Sequence, residues 1–162
     1  MKKITKIIIL TILFLSFYYV ETIIITDGSL FNKMIFKEIS NSKKNNQILK
    51  ETNALPIITS DWRFKFTLSQ LQEIFKEWAL IETLPIDTIP EISNTIGMNN
   101  DELRANEILL HIKKYNPKSW VVIDDINLSK WIDKDHFVHL SRPSEGIKQT
   151  GKFKEIIKKL NN

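Results

Sequence analysis

Short continuous apolar runs alternate along this chain with stretches in which apolar residues return every three or four positions. The first pattern predicts buried strands and the second amphipathic helices. Thr22–Thr26 is a β-rich run that ends at the turn signal Asp27-Gly28. Phe31, Met34, Ile35 and Ile39 follow at helical spacing, and the polar stretch Asn41 to Asn46 reads as loop. Leu55 to Thr59 is a second strand. Thr67-x-x-Gln70 is a capping box that opens a helix with Leu68, Leu71, Ile74, Phe75 and Trp78 on one stripe. Leu84 to Ile86 reads as a weak strand, and Ile89 to Met98, with Pro90 and Gly97, as loop. Asn100 or Asp101 caps the next helix, with Leu103, Ile108, Leu109, Ile112 and Tyr115 inward and Pro117 as its stop. Trp120 to Ile123 is the strongest strand signal, and Phe137 to Leu140 is a further short strand. Thr150 caps a last helix with Phe153, Ile156, Ile157 and Leu160 on one face. Strands separated by helices predict an α/β fold, a three-layer sandwich around a mainly parallel, Rossmann-like sheet.

The first twenty residues break this pattern. Met1 to Lys6 is basic, and Ile7 to Val20 is apolar apart from a few weakly polar positions such as Thr11 and Ser16. A stretch of fourteen residues suits a signal sequence or short anchor better than a full span of roughly 20. No small-x-small cleavage site follows, because Phe17, Tyr18, Tyr19 and Val20 are bulky. The expectation is a basic and apolar signal or membrane anchor over residues 1–21, with membrane association through residues 4–20, and a domain over 22–162. Lysines at the N-terminus then leave Met1 in the cytoplasm and carry the domain to the other side, anchored or exported. A buried strand or helix of a cytoplasmic domain is the alternative for the same residues.

Composition narrows the chemistry. The 162 residues leave room for one domain, and 43% apolar content is enough for a core. Absence of cysteine excludes disulfides, Cys-based zinc sites and thiol nucleophiles. His111, His136 and His139 lack His-x-x-x-His spacing. The four glycines form neither a dinucleotide fingerprint nor a P-loop. Net charge is +4, but without Lys2, Lys3 and Lys6 there are 20 bases against 19 acids, so the remainder is near neutral. Total charge therefore gives no basic nucleic-acid surface.

In parallel sheets the chemistry gathers at the carboxyl ends of the strands. Here those ends read Asp27-Gly28-Ser29, then Thr59-Ser60-Asp61-Trp62-Arg63, then Asp124-Asp125. Carboxylates suit a hard cation such as Mg²⁺, while hydroxyls and a guanidinium suit phosphoryl oxygens. Arg63 fits a surface ion pair, a phosphate contact or a pin for the site. Asp124 and Asp125 follow a very apolar run, so the pair calls for a cation or basic partner.

From Thr22 onward the order resembles the haloacid dehalogenase-like (HAD) phosphohydrolases, and most closely the HAD domain of Swiss Army Knife RNA repair proteins. Ile-Ile-Ile-Thr-Asp27-Gly28-Ser29-Leu30 resembles the first motif, and Ile57-Ile58-Thr59-Ser60-Asp61-Trp62-Arg63 the second. Arg104-x-x-Glu107-Ile108 resembles the basic third motif, and Val121-Val122-Ile123-Asp124-Asp125 the acidic fourth. Gly146-Ile147 fits a Gly-Leu stretch of the subgroup. The resemblance implies Asp27, Thr59 and Arg104 as catalytic residues, Ser60 and Arg63 as substrate-binding, and Asp27, Asp124 and Asp125 as ligands of Mg²⁺. It implies hydrolysis or binding of a phosphomonoester, on a phosphorylated small molecule or a nucleic-acid end. No protein partner is evident.

One position departs from the pattern. The family uses Asp-x-Asp, whose first carboxylate attacks phosphorus and whose second moves protons. Matching Asp27-Gly28 to the family's Asp-Gly leaves Ile25 at the nucleophile position. Sliding the match by two makes Asp27 the nucleophile and puts Ser29 at the proton-transfer position. Gly28 and Leu30 favour the first register. The alternative function is therefore a catalytically impaired HAD-fold binding domain tethered at a membrane.

Overall fold

The computed structural model describes residues 6–10, 43–59, 62–77, 82–93, 96–142 and 145–161. Among these residues five strands form one sheet: β1 Lys6–Leu10, β2 Leu55–Ile58, β3 Asp87–Thr88, β4 Ser119–Asp124 and β5 Phe137–His139. Their order is β3-β2-β1-β4-β5, and every neighbouring pair is parallel. β1 is the central strand. Its Leu10 lies in register with Ile58 of β2 on one side and Ile123 of β4 on the other. The chain steps outward from β1 through β2 to β3, then returns to place β4 against β1's other edge. That reversal makes the carboxyl ends of β1 and β4 the topological switch point, where α/β sheets bind ligands.

Helices connect the strands. α1 runs through 43–52, α2 covers Trp62–Lys65, α3 Leu68–Glu77, α4 Asn100–Tyr115 and α5 Lys152–Asn161. α3 starts at the expected capping box: the Gln70 side chain accepts from the Thr67 backbone N–H at 2.9 Å, and the Thr67 hydroxyl accepts from Gln70 N–H at 3.3 Å. α4 is capped by Asn99, one or two residues ahead of the expected cap. Its side chain accepts from Glu102 N–H at 2.9 Å. α4 ends at Asn116, left-handed at φ 44°, whose N–H returns to Ile112 O before Pro117 forbids another turn.

Alternation along the strands loads both faces of the sheet. Ile58, Val121, Ile123 and Val138 pack with Ile48 of α1, Leu71 and Phe75 of α3, and Ile156 and Leu160 of α5. Ile57, Val122 and Phe137 pack with Ala105 and Ile108 of α4 and with Leu128 and Ile132 of the loop after β4. Two cores, one on each face, give the three layers that the strand-helix alternation predicts.

Lys6–Leu10 forms β1: a run of β-branched residues fills the slot between two parallel strands and satisfies its backbone on both edges. Two expectations are corrected. Residues 43–52 are helical where Asn41 to Asn46 read as loop; packing of Ile48 and Leu49 into the core outweighs the polar composition. The weak strand expected at Leu84–Ile86 lies at Asp87–Thr88, with Ile86 N–H joining Pro56 O at 3.0 Å just ahead of it. The strand expected at Thr22–Thr26 and the helix through Phe31 to Ile39 lie outside the described residues. No helix among the described residues is long and apolar enough to cross a membrane.

Candidate functional site

One register step beyond Leu10, the flanking strands reach Thr59 and Asp124. These two residues stand on either side of the end of β1, about 10 Å apart at two strand spacings. Both are fully buried. The Thr59 hydroxyl has no hydrogen-bond partner among the described residues, and neither has Oδ2 of Asp124. Oδ1 of Asp124 accepts from Ile126 N–H at 2.9 Å, which turns the chain away from the strand.

α4 brings charge to both ends. Arg104 places Nη1 3.6 Å from the Asp124 Oδ2, with side chains 15% and 0% exposed. Burial raises the Asp124 pKa from its ordinary 3.8 to about 7, and the neighbouring Asp125 adds to the rise. Arg104 and the Ile126 N–H oppose that rise without cancelling it. Asp125 is half-buried, and its carbonyl lies 3.1 Å from Nε2 of His139, which ties the acidic turn to β5.

The Arg63 guanidinium is engaged within the protein. One arm of its guanidinium donates to the Thr59 carbonyl and the other pairs with Glu107 of α4. The group also lies over the Phe64 ring, 4.4 Å from its centroid. With that fork occupied by protein, the arginine pins the end of β2 to α4.

Among the expected site residues, the structure thus gathers Thr59, Arg63, Arg104, Asp124 and Asp125 at the carboxyl edge of the sheet. Asp27 and Ser60 lie outside the described residues. Among the described residues no three His, Asp or Glu side chains cluster closely enough to hold a metal ion by themselves. Asp124 and Asp125 offer two carboxylates, a set that fits Mg²⁺, which completes its shell with water and substrate phosphate.

Sequence reasoning assigns no role to Glu107, although it stands inside the Arg104-x-x-Glu107 motif. The signal is its position between the buried Ala105 and Ile108, where a lone carboxylate requires a partner. His111 likewise has no role in the sequence reading beyond its failure to make a His-x-x-x-His pair. It is buried against the Tyr115 ring, 3.7 Å from the Asp87 carboxylate, and away from the ends of β2 and β4.

A family model described as the HAD domain in Swiss Army Knife RNA repair proteins matches residues 21–150. The match spans β2 to β5 with Thr59, Arg63, Arg104, Asp124 and Asp125, and it begins after β1. No curated protein and no solved structure matches the chain. The chain belongs to this HAD-domain family.

Proposed function

We propose that this HAD domain holds a phosphomonoester together with Mg²⁺ at the carboxyl ends of β2 and β4, and that it hydrolyses the ester slowly. One observation carries the reading. The Thr59 hydroxyl and the Asp124 Oδ2 are buried without hydrogen-bond partners among the described residues, on the two strands that flank β1. A buried polar atom left this way costs about 1–3 kcal/mol. A bound phosphoryl group and cation give each of them a partner.

Asp124 and Asp125 would hold the cation, with Asp27 as a third carboxylate from the sequence resemblance. When bound, Mg²⁺ neutralises phosphoryl charge. Thr59 donates its hydroxyl hydrogen to a phosphoryl oxygen, and Ser60 follows as a second donor. Arg104 balances the charge of Asp124 while that carboxylate is ionised. Asp27, in the register that Gly28 and Leu30 favour, gives a proton to the leaving oxygen as water attacks phosphorus directly. Ile25 then stands where the covalent route needs a carboxylate, and this is the reason for slow turnover. The family description points to an RNA end as the phosphomonoester. A tether through residues 4–20 would withdraw Lys6–Leu10 from β1, so the membrane-tethered reading gains no support from the sheet.

The test is Mg²⁺-dependent hydrolysis of p-nitrophenyl phosphate and of a phosphorylated oligoribonucleotide by native protein, Ile25→Asp and Asp27→Asn. Native turnover is expected to be slow. Ile25→Asp should raise it at least tenfold, since loss of a nucleophile removes several powers of ten in comparable groups. Fast native turnover with a phospho-enzyme trapped on Asp27, both abolished by Asp27→Asn, would show that Asp27 is the nucleophile and overturn the proposed register.

A further inference from the structure

We propose that Glu107 is a positioning residue of this site: through Arg63 it sets the backbone, and hence the hydroxyl, of Thr59. The inference rests on the phosphate-site reading above.

Glu107 and Arg104 sit three residues apart on α4, so they project from neighbouring turns of one face. Arg104 reaches the end of β4 and Glu107 reaches the end of β2. Glu107 is 2% exposed and uses both of its oxygens. Oε2 takes the Arg63 guanidinium, and Oε1 accepts from Ile92 N–H at 3.4 Å in the loop after β3. Arg63, 5% exposed, spends its other arm on the Thr59 carbonyl.

Thr59 lies just past β2. The last ladder carbonyl of that strand is Ile58 O, which takes Ile89 N–H at 2.9 Å. Beyond it, the Thr59 peptide is held by the guanidinium. A planar fork satisfied at both arms fixes direction as well as distance, which a lysine ammonium does not. Burying such a pair is weak as a source of stability, because desolvation of both ions offsets their attraction. An apolar pair would fill the same space. What the ionic pair adds is a fixed orientation for a carbonyl whose own residue carries a hydroxyl without a hydrogen-bond partner among the described residues.

The experiment uses the full chain and three variants: Glu107→Gln, Arg63→Lys and the double variant. Glu107→Gln keeps an acceptor, and Arg63→Lys keeps the charge but cannot span both partners. Binding of inorganic phosphate in Mg²⁺ and of Mg²⁺ alone is measured by calorimetry. The Thr59 amide is followed by its resonance and its hydrogen exchange, and urea unfolding reports the fold. Each single variant should unfold cooperatively, lose phosphate affinity by about tenfold, the scale of one misplaced hydrogen bond, and keep Mg²⁺ affinity within about twofold. The Thr59 amide should shift and exchange faster. The double variant should be no worse than the weaker single, because both act along one chain of contacts.

An unshifted Thr59 amide with native phosphate affinity would overturn the proposal. Equal losses for phosphate and Mg²⁺ would also overturn it, since they mark general loosening. If native protein binds neither probe, the phosphate reading fails, and the Thr59 amide still decides whether Glu107 sets that residue.

Discussion

Replacing Asp124 with asparagine should make the protein more stable at alkaline pH while emptying its cation site. In the fold this carboxyl is fully buried, and its pKa is raised from 3.8 to about 7. The sign follows from proton counts. Between about pH 4 and 7 the folded protein holds a proton on Asp124 that the unfolded chain has released, so stability falls as pH rises through that window. Above pH 7 the full penalty applies. A shift of roughly 3 units at 1.36 kcal/mol each sets a ceiling of roughly 4 kcal/mol. At pH 5 the folded group is already protonated, and only about 2 kcal/mol of that penalty remains. An asparagine at this position keeps an acceptor for the Ile126 N–H and carries no charge to desolvate, although it weakens the interaction with Arg104. The advantage of Asp124→Asn over the native chain should therefore be about 2 kcal/mol larger at pH 8 than at pH 5, or roughly 4–8 °C in Tm. Urea unfolding in EDTA at both pH values measures it. Added Mg²⁺ should stabilise the native chain and leave the variant unchanged, with about 2.7 kcal/mol expected at a hundred times Kd. A constant offset between the two proteins from pH 5 to 8 would refute the reasoning, because Asp124 would then not be buried as a charge.

His111 should act in the opposite sense. Burial lowers its pKa, with Lys114 adding to the fall and Asp87 opposing it. Protonation thus favours the unfolded chain, and stability should drop as pH falls through about 6.5. In the Asp124→Asn background, His111→Leu should flatten that slope; its ring nitrogens have no hydrogen-bond partners among the described residues, and Asp87 keeps the Tyr115 hydroxyl at 2.5 Å. An unchanged slope would show that another group carries it. Deleting residues 1–20 removes β1, which is paired on both edges, so cooperative unfolding should be lost; a truncated protein that still folds would show that another segment fills the centre of the sheet. Thr67→Ala should cost about 1 kcal/mol in urea unfolding by breaking the capping box of α3; no loss would mean that tertiary contacts alone hold that turn.

The strand-helix alternation, the runs Leu55–Thr59 and Trp120–Ile123, the capping box at Thr67, the strand-end residues Thr59, Asp124 and Asp125 and the helical Arg104 are local properties, legible without any structure. Side-chain period and cap chemistry need no distant partner, so they can be read from a few consecutive residues. Other outcomes turned on partners far away in the chain. Residues 43–52 are polar in composition yet helical, because Ile48 and Leu49 find Phe75 and Leu160 across the core. Lys6–Leu10 reads as part of an anchor, with a buried strand or helix as the alternative, and only the edges of β2 and β4 show it paired as a strand. The partner of Arg63 is set by α4, which brings Glu107 to it from 44 positions along the chain. The same docking of α4 brings Arg104 to Asp124. Which charge meets which, and which polar atoms stay unpartnered in the interior, depends on how helices seat against the sheet. That seating is a sum of many weak long-range contacts, and no short stretch of sequence contains it.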